Sequence, residues 1–278
     1  MTDTVPAREI DGRTRIVPLL AHPSDHLRTP AAFNRRCAAL GVNAVCIPWQ
    51  VEPRHLAETV GALRHGDSIA GLIVTVPHKG AVAELCDELT GYAQYLRVVN
   101  VVRRDADGRL VGAMFDGVGY VAGLRQRGIE PEGRRVLLIG AGGAATAIAG
   151  ALAEAGVAEM AIANRSAMKA ERVVDVLRRA HPSLVLRVAP PDPAGYDLVV
   201  NATSLGMHPA DALPVDPARI DEGAVVAEVV MQPAVTPLLV AAQARGLAIH
   251  EGEHMLTAQL GLLAGFLFEG AAGKAMAA

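Results

Sequence analysis

The segment Gly140-Ala141-Gly142-Gly143-Ala144-Ala145 stands directly after the apolar run Val136 to Ile139 and directly before an alanine-rich helical pattern. A GxGxxA spacing in that setting suits a dinucleotide. The first glycine permits the tight turn, the second lets a pyrophosphate approach the backbone, and the small Ala145 lets helix and strand pack. Alone, such a turn can simply be rich in glycine; strand, turn and helix in succession favour the nucleotide. At the end of the next apolar run, Asn164-Arg165-Ser166, with Lys169 one turn on, puts positive charge where a site for NAD usually carries an acid. Arg165 and Lys169 therefore favour NADP, whose 2′-phosphate they can pair. A second group of residues suits proton transfer. Lys79 ends Thr75-Val76-Pro77-His78-Lys79, which closes a buried run, and Asp116 sits in Phe115-Asp116-Gly117-Val118-Gly119. Oxidising an alcohol removes a hydride and a proton, so a lysine and an aspartate beside the hydroxyl suffice as acid-base groups. The plainer alternative for the two is a structural ion pair.

Short runs rich in Val and Ile alternate with helical patterns, the rhythm of an α/β fold whose parallel sheet is covered by helices. The first runs are Arg15 to Leu20, Ala44 to Pro48 and Gly71 to Thr75; Thr29 and Pro30 are placed to cap and open a helix that Gly41 closes. Val98 to Arg103 and Leu110 to Ala113 flank Asp107-Gly108, a hairpin signature. A crossing between two domains is expected near Asp116, because the rhythm restarts beyond it. Strands are expected at Met160 to Ala163, Leu184 to Val188, Asp197 to Asn201 and Ala224 to Val229. Thr236-Pro237 opens a helix ending at Gly246, and Met255 to Glu269 forms a last helix that returns to the first domain.

The 278 residues are 51% hydrophobic and 20% charged, with a net charge of −3. That composition excludes a disordered, collagen-like or disulfide-scaffold chain, and the absence of clustered Lys and Arg argues against nucleic acid or membrane partners. Cys37, Cys46 and Cys86 form no CxxC pair and read as thiols of a reducing cytosol. The start MTDTVPAREIDG lacks the features of a secretory signal, so a cytoplasmic location is expected. Leu260 to Phe268 falls well short of the ~20 residues of a spanning helix. His22 with His26, and His250 with His254, have metal-pair spacing, but Pro23 breaks the first pair's helix and no third ligand is in register. No metal is expected; His26 and His254 read as polar residues near the site, and His55, His65, His181 and His208 as surface or loop residues.

From about Pro18 to about Gln259 the motifs together resemble the shikimate dehydrogenase family. Gly71-Leu72-Ile73-Val74-Thr75-Val76-Pro77-His78-Lys79 is similar to its GxNVTxPxK, and Val98-Val99-Asn100 to its AVN. Met114 to Gly119 is similar to its NTDGxG, Asn164-Arg165-Ser166 to its NRT, Asn201 to Met207 to its NATSxGM, and Met255 to Gln259 to its MLxxQ. The resemblance implies a substrate-binding α/β domain, residues 1–115 completed by 251–278, and a Rossmann domain, residues 116–250, with NADP between them. It implies Lys79 and Asp116 as the catalytic pair, and Thr75, Asn100 and Gln259 as hydrogen-bond partners of the substrate. The expected cofactor set is Gly140, Gly142, Gly143, Ala144, Asn164, Arg165, Ser166, Lys169, Thr203, Met207 and Gly252.

The far end of the pocket departs from the family. Its HSxSP reads His26-Leu27-Arg28-Thr29-Pro30, so Leu27 replaces the first carboxylate-binding serine while Thr29 keeps a hydroxyl at the second. Ile73 replaces an asparagine and Met231 a tyrosine. Losing a hydrogen bond to a charged group costs ~1.5–3 kcal/mol, so a cation such as Arg28 takes over the acid, or the substrate is larger or less polar than shikimate, or the changes are neutral drift. The expected function is NADP-linked interconversion of a ring hydroxyl and ketone on a small molecule, shikimate and 3-dehydroshikimate first, by a monomer or homodimer. Through the family this belongs to aromatic amino acid biosynthesis. The alternatives are a dehydrogenase for quinate or another cyclic polyol using NAD, and a nucleotide-binding regulator without catalysis. Keeping Lys79, Asp116 and Gln259 together argues for the enzyme.

Overall fold

The computed structural model describes residues 9–25 and 27–268. The start of the chain, His26 and the final residues, including Glu269, lie outside them, and with them the expectations placed there. The chain divides into two compact units, one running to Phe115 and resuming at Leu260, the other Asp116–Gln259.

The first unit contains β1 (Arg15–Ala21), α1 (Thr29–Ala39), β2 (Ala44–Gln50), α2 (Leu56–Leu63), β3 (Gly71–Val74), α3 (Lys79–Ala83), β4 (Glu88–Leu89), α4 (Tyr92–Leu96), β5 (Val101–Arg104) and β6 (Leu110–Ala113). The sheet order is β2-β1-β3-β5-β6-β4. It is mixed rather than wholly parallel: β3 and β5 run antiparallel, and so do β5 and β6, which a tight turn at Gly108 (φ 84°) joins as a hairpin. Thr29 is not the cap expected of it. Arg28 already has near-helical backbone (φ −101°, ψ −24°), so the helix starts one residue early, with no side chain capping it.

The second unit holds α5 (Asp116–Gln126), β7 (Arg135–Ile139), α6 (Gly143–Glu154), β8 (Glu159–Ala163), α7 (Ala167–Ala180), β9 (Val185–Val188), β10 (Leu198–Asn201), β11 (Val225–Glu228), α8 (Pro237–Ala244), β12 (Ala248–His250) and the start of α9 (Glu253–Leu267). Its strands are all parallel, in the order β12-β11-β10-β7-β8-β9. Strand order reverses between β7 and β10, and ligands of such doubly wound sheets bind beyond the strand ends at that switch point. Both strands are continuous aliphatic runs, as burial on two faces requires. α8 opens as expected, the Thr236 hydroxyl accepting from the Leu239 N–H.

Residues 251–259, expected in the first domain, fall in the second unit. Two glycines on α5 explain it: a β-carbon on Gly119 would lie 2.7 Å from that of Gln259, and one on Gly123 would lie 3.0 Å from the His254 backbone. Only glycine lets α9 lie this close.

Candidate active site

In the first unit, backbone pairing draws Thr75, Lys79 and Asn100 together. The Thr75 N–H donates to Leu20 (3.0 Å), the Val74 N–H to the Asn100 carbonyl (2.8 Å) and the Val99 N–H to the Lys79 carbonyl (3.0 Å). The Asn100 side-chain oxygen in turn accepts from the Phe115 N–H at 2.9 Å, which fixes the chain immediately before Asp116. Lys79 opens α3 and is only 7% exposed. His78 beside it is buried, and one ring nitrogen lies 2.8 Å from the Val51 carbonyl. A carbonyl only accepts, so that nitrogen carries the proton. Burial holds the His78 pKa below the usual imidazole value, against the pull of Val51, so the ring is a neutral strut between Lys79 and the end of β2.

Leu27 packs against the apolar cluster that contains Ile73, whose side chain is buried. Thr29 is half-buried at the start of α1, and Met231 is half-buried beyond β11 in the other unit.

In the second unit the glycine turn fits a nucleotide. Gly140 has φ 125°, and a β-carbon there would sit 2.7 Å from the Ala202 carbonyl oxygen, so only glycine serves. A β-carbon on Gly142 would meet open space. Gly142 is the N-cap of α6 and, among the described residues, no side chain makes a capping hydrogen bond there, which leaves the N–H groups and the helix dipole to a phosphate. Ala145 is buried beneath, while Gly143 and Ala144 form the first turn. At the end of β8, the Asn164 amide donates to the Ser166 carbonyl at 2.9 Å, and Arg165, Ser166 and Lys169 are exposed. Gly252 has a packing reason as well: a β-carbon would lie 2.4 Å from the Val230 carbonyl oxygen.

The loop after β10 is folded by its own side chains. Thr203 donates its hydroxyl to the Asn201 side-chain oxygen (2.7 Å) and accepts from the Leu205 N–H (3.0 Å). Thr203 therefore offers a cofactor its methyl and backbone rather than its O–H. Met207 is half-buried at the loop's end. Asp116 (4% exposed) begins α5, one turn from Gly119, so the close approach at Gly119 carries the buried Gln259 to the Asp116 end of that helix. Glu228 and His78 were missed as site-shaping residues. Glu228 had a signal, an acid inside the apolar run Ala224 to Val230. Among the described residues no cluster of His, Cys, Asp or Glu suits a metal, and no helix is long and apolar enough to cross a membrane.

A doubly wound parallel sheet with a glycine turn at its switch point and an open helix N-terminus defines a dinucleotide-binding α/β protein. Two family models match the chain: the shikimate dehydrogenase substrate binding domain over residues 19–102, and shikimate / quinate 5-dehydrogenase over residues 124–206. The chain belongs to the shikimate dehydrogenase family. It is 40% identical over 255 residues to the shikimate dehydrogenase (NADP(+)) of Rubrobacter xylanophilus, covering 90% of this chain and 89% of that one. Among solved structures it is similar to shikimate 5-dehydrogenase from Thermus thermophilus in complex with NADP(H) and shikimate, with 28% identity, TM-score 0.82, and 91% and 93% of the two chains covered. It is also similar to a 5-ketofructose reductase from a Gluconobacter strain, with 30% identity, TM-score 0.81, and coverage of 96% and 97%.

Proposed function

We propose that this chain is an NADP-dependent oxidoreductase that interconverts a ring hydroxyl and ketone, with shikimate and 3-dehydroshikimate as its first substrate pair. The observation that carries the reading is the buried Lys79 at the start of α3, just beyond β3, in a family whose relatives are named shikimate dehydrogenase (NADP(+)). NADP supplies the hydride acceptor. Lys79 takes the hydroxyl proton during oxidation and returns it during reduction, with Asp116 as the second acid-base group. Thr75, Asn100, Thr29 and Gln259 hydrogen-bond the substrate. Gly140, Gly142, Gly143 and Ala144 receive the pyrophosphate, Asn164, Arg165, Ser166 and Lys169 the adenosine ribose with its 2′-phosphate, and Thr203, Met207 and Gly252 the nicotinamide side.

A second reading of the substrate is favoured by the apolar Leu27, Ile73 and Met231. None of these three side chains offers a carboxylate a hydrogen-bond donor, and the similarity to a protein named for reducing 5-ketofructose makes a neutral polyol the competing substrate class. Initial rates with shikimate, quinate and neutral polyols, each with NADP and NAD, separate the readings. Preference for NADP and an acid substrate supports the first; preference for a neutral alcohol supports the second; no turnover with any pair removes both. We infer a cytoplasmic monomer or homodimer with no nucleic acid or membrane partner, on the support of the slight net charge and of Cys37, Cys46 and Cys86 forming no disulfide.

A further inference from the structure

Glu228 is the last residue of β11 and is 0% exposed. It pairs in register with Asn201, the last residue of β10, which pairs in turn with Ile139, the residue before the glycine turn. One carboxylate oxygen accepts from the Asn201 amide (3.0 Å) and the Thr236 hydroxyl (2.8 Å), and the other from the same Asn201 amide (3.0 Å). Every one of these partners is a donor.

The same Asn201 builds the following loop. Its amide also donates to the Leu205 carbonyl (2.9 Å), and its oxygen accepts from the N–H and hydroxyl of Thr203. Gly206 packs on Thr236, where a β-carbon would lie 3.3 Å from that of the threonine. Ala202 is the residue that Gly140 abuts. One buried carboxylate thus holds the loop after β10 and the start of α8 in a single arrangement, against the turn that receives the pyrophosphate.

We propose that Glu228 is a positioning residue for the cofactor: its ionised carboxylate orients Asn201, and through it the Thr203 to Met207 loop, for NADP binding. The inference rests on the cofactor site proposed above. The titratable group that Glu228 acts on is Tyr120 from α5, whose own ionisation it opposes, and the Tyr120 ring in turn meets that of His250 edge-on, with centroids 5.6 Å apart. Burial pushes the Glu228 pKa up to about 7, against the hydrogen bonds of Asn201 and Thr236. Protonation places a hydrogen among donors, one contact must break, and the loop loosens as pH falls.

The test uses the cofactor-free protein and Glu228→Gln, whose amide directs N–H groups at a donor whichever way it is turned. In isotope-labelled wild-type protein, the Thr203 and Leu205 amide signals should shift along a titration near neutral pH, and in Glu228→Gln that titration should vanish. At a pH where Glu228 is ionised, NADPH should bind about tenfold more weakly to the variant, the scale of one lost charged hydrogen bond, and Glu228→Asp should recover part of the loss. Loop amides that do not titrate in the wild type overturn the proposal, whether or not the variant folds. So does a folded Glu228→Gln with wild-type NADPH affinity. If wild-type protein does not bind NADPH while its loop amides titrate as described, the cofactor reading fails and the Glu228 network does not.

Discussion

Gly117 lies against Ala147 so closely that a β-carbon on it would sit 2.1 Å from the Ala147 carbonyl oxygen. The helix that begins with Asp116 is therefore flush with the helix whose N-terminus follows the glycine turn, and the second unit carries both as one piece. Gly117→Ala must push the two apart. Overpacking of this kind costs about 1–3 kcal/mol, so thermal unfolding should show a Tm lowered by several degrees, with turnover reduced. An unchanged Tm would mean that the helices do not meet at Gly117.

Arg165 is exposed at the end of β8, beside the turn pinned by Asn164. A charged hydrogen bond to phosphate contributes about 1.5–3 kcal/mol, so Arg165→Ala should weaken NADP binding by roughly 10- to 100-fold and leave NAD binding nearly unchanged. Titration calorimetry with both nucleotides checks this. Tighter NAD than NADP binding in unmodified protein would show that this turn does not read the 2′-phosphate.

Specificity should move with Leu27 and Met231. Restoring serine at 27 and tyrosine at 231 returns two hydrogen-bonding groups, so the KM for shikimate should fall with kcat largely kept. Leu27 also packs on the Phe33 and Ile73 cluster, so the double variant should lose some thermal stability. A folded double variant with unchanged KM would place those two residues outside the carboxylate's reach.

Stability should depend on pH through His250. Burial, with His254 beside it, holds its pKa down to about 4, whereas the unfolded chain has the ordinary value near ~6.5. Between those values the unfolded state binds a proton that the native state refuses. This contribution to stability is complete above the upper value and is lost as pH falls to the lower one, by about 3 kcal/mol. Glu228 acts in the opposite sense: its raised pKa gives a contribution that is present in acid and lost as pH rises toward about 7. Urea unfolding of wild type and His250→Phe across this range separates the two. The variant should gain on the wild type as pH falls, and a constant difference would assign the titration to another group.

Apart from β12, the parallel sheet of the second unit was readable because its strands are short runs rich in aliphatic residues and its turns have their own chemistry, Gly140 and Thr236 above all. The short pieces α2, α3, α4, β4 and β12 were not readable, since a few residues carry too little periodicity to separate a helical turn from a loop. The placement of residues 251–259 was also hidden, because it depends on Gly119 and Gly123 on a distant helix letting α9 close in. At the site, Lys79, Asp116 and the glycine turn stand out by residue type at strand ends. Glu228 and His78 act through partners far away in sequence, and only the fold brings Asn201 to one and Val51 to the other.

In the proposed reaction Lys79 moves the proton while NADP takes the hydride. The direct measurement is the rate of NADP reduction with shikimate by wild type and Lys79→Ala, together with the NADPH dissociation constant of each. The wild type should turn over, and the variant should lose about 10²–10⁴-fold in kcat, the usual contribution of a positioned acid-base group, with NADPH affinity nearly intact. Near-normal turnover by folded Lys79→Ala would remove Lys79 from the chemistry.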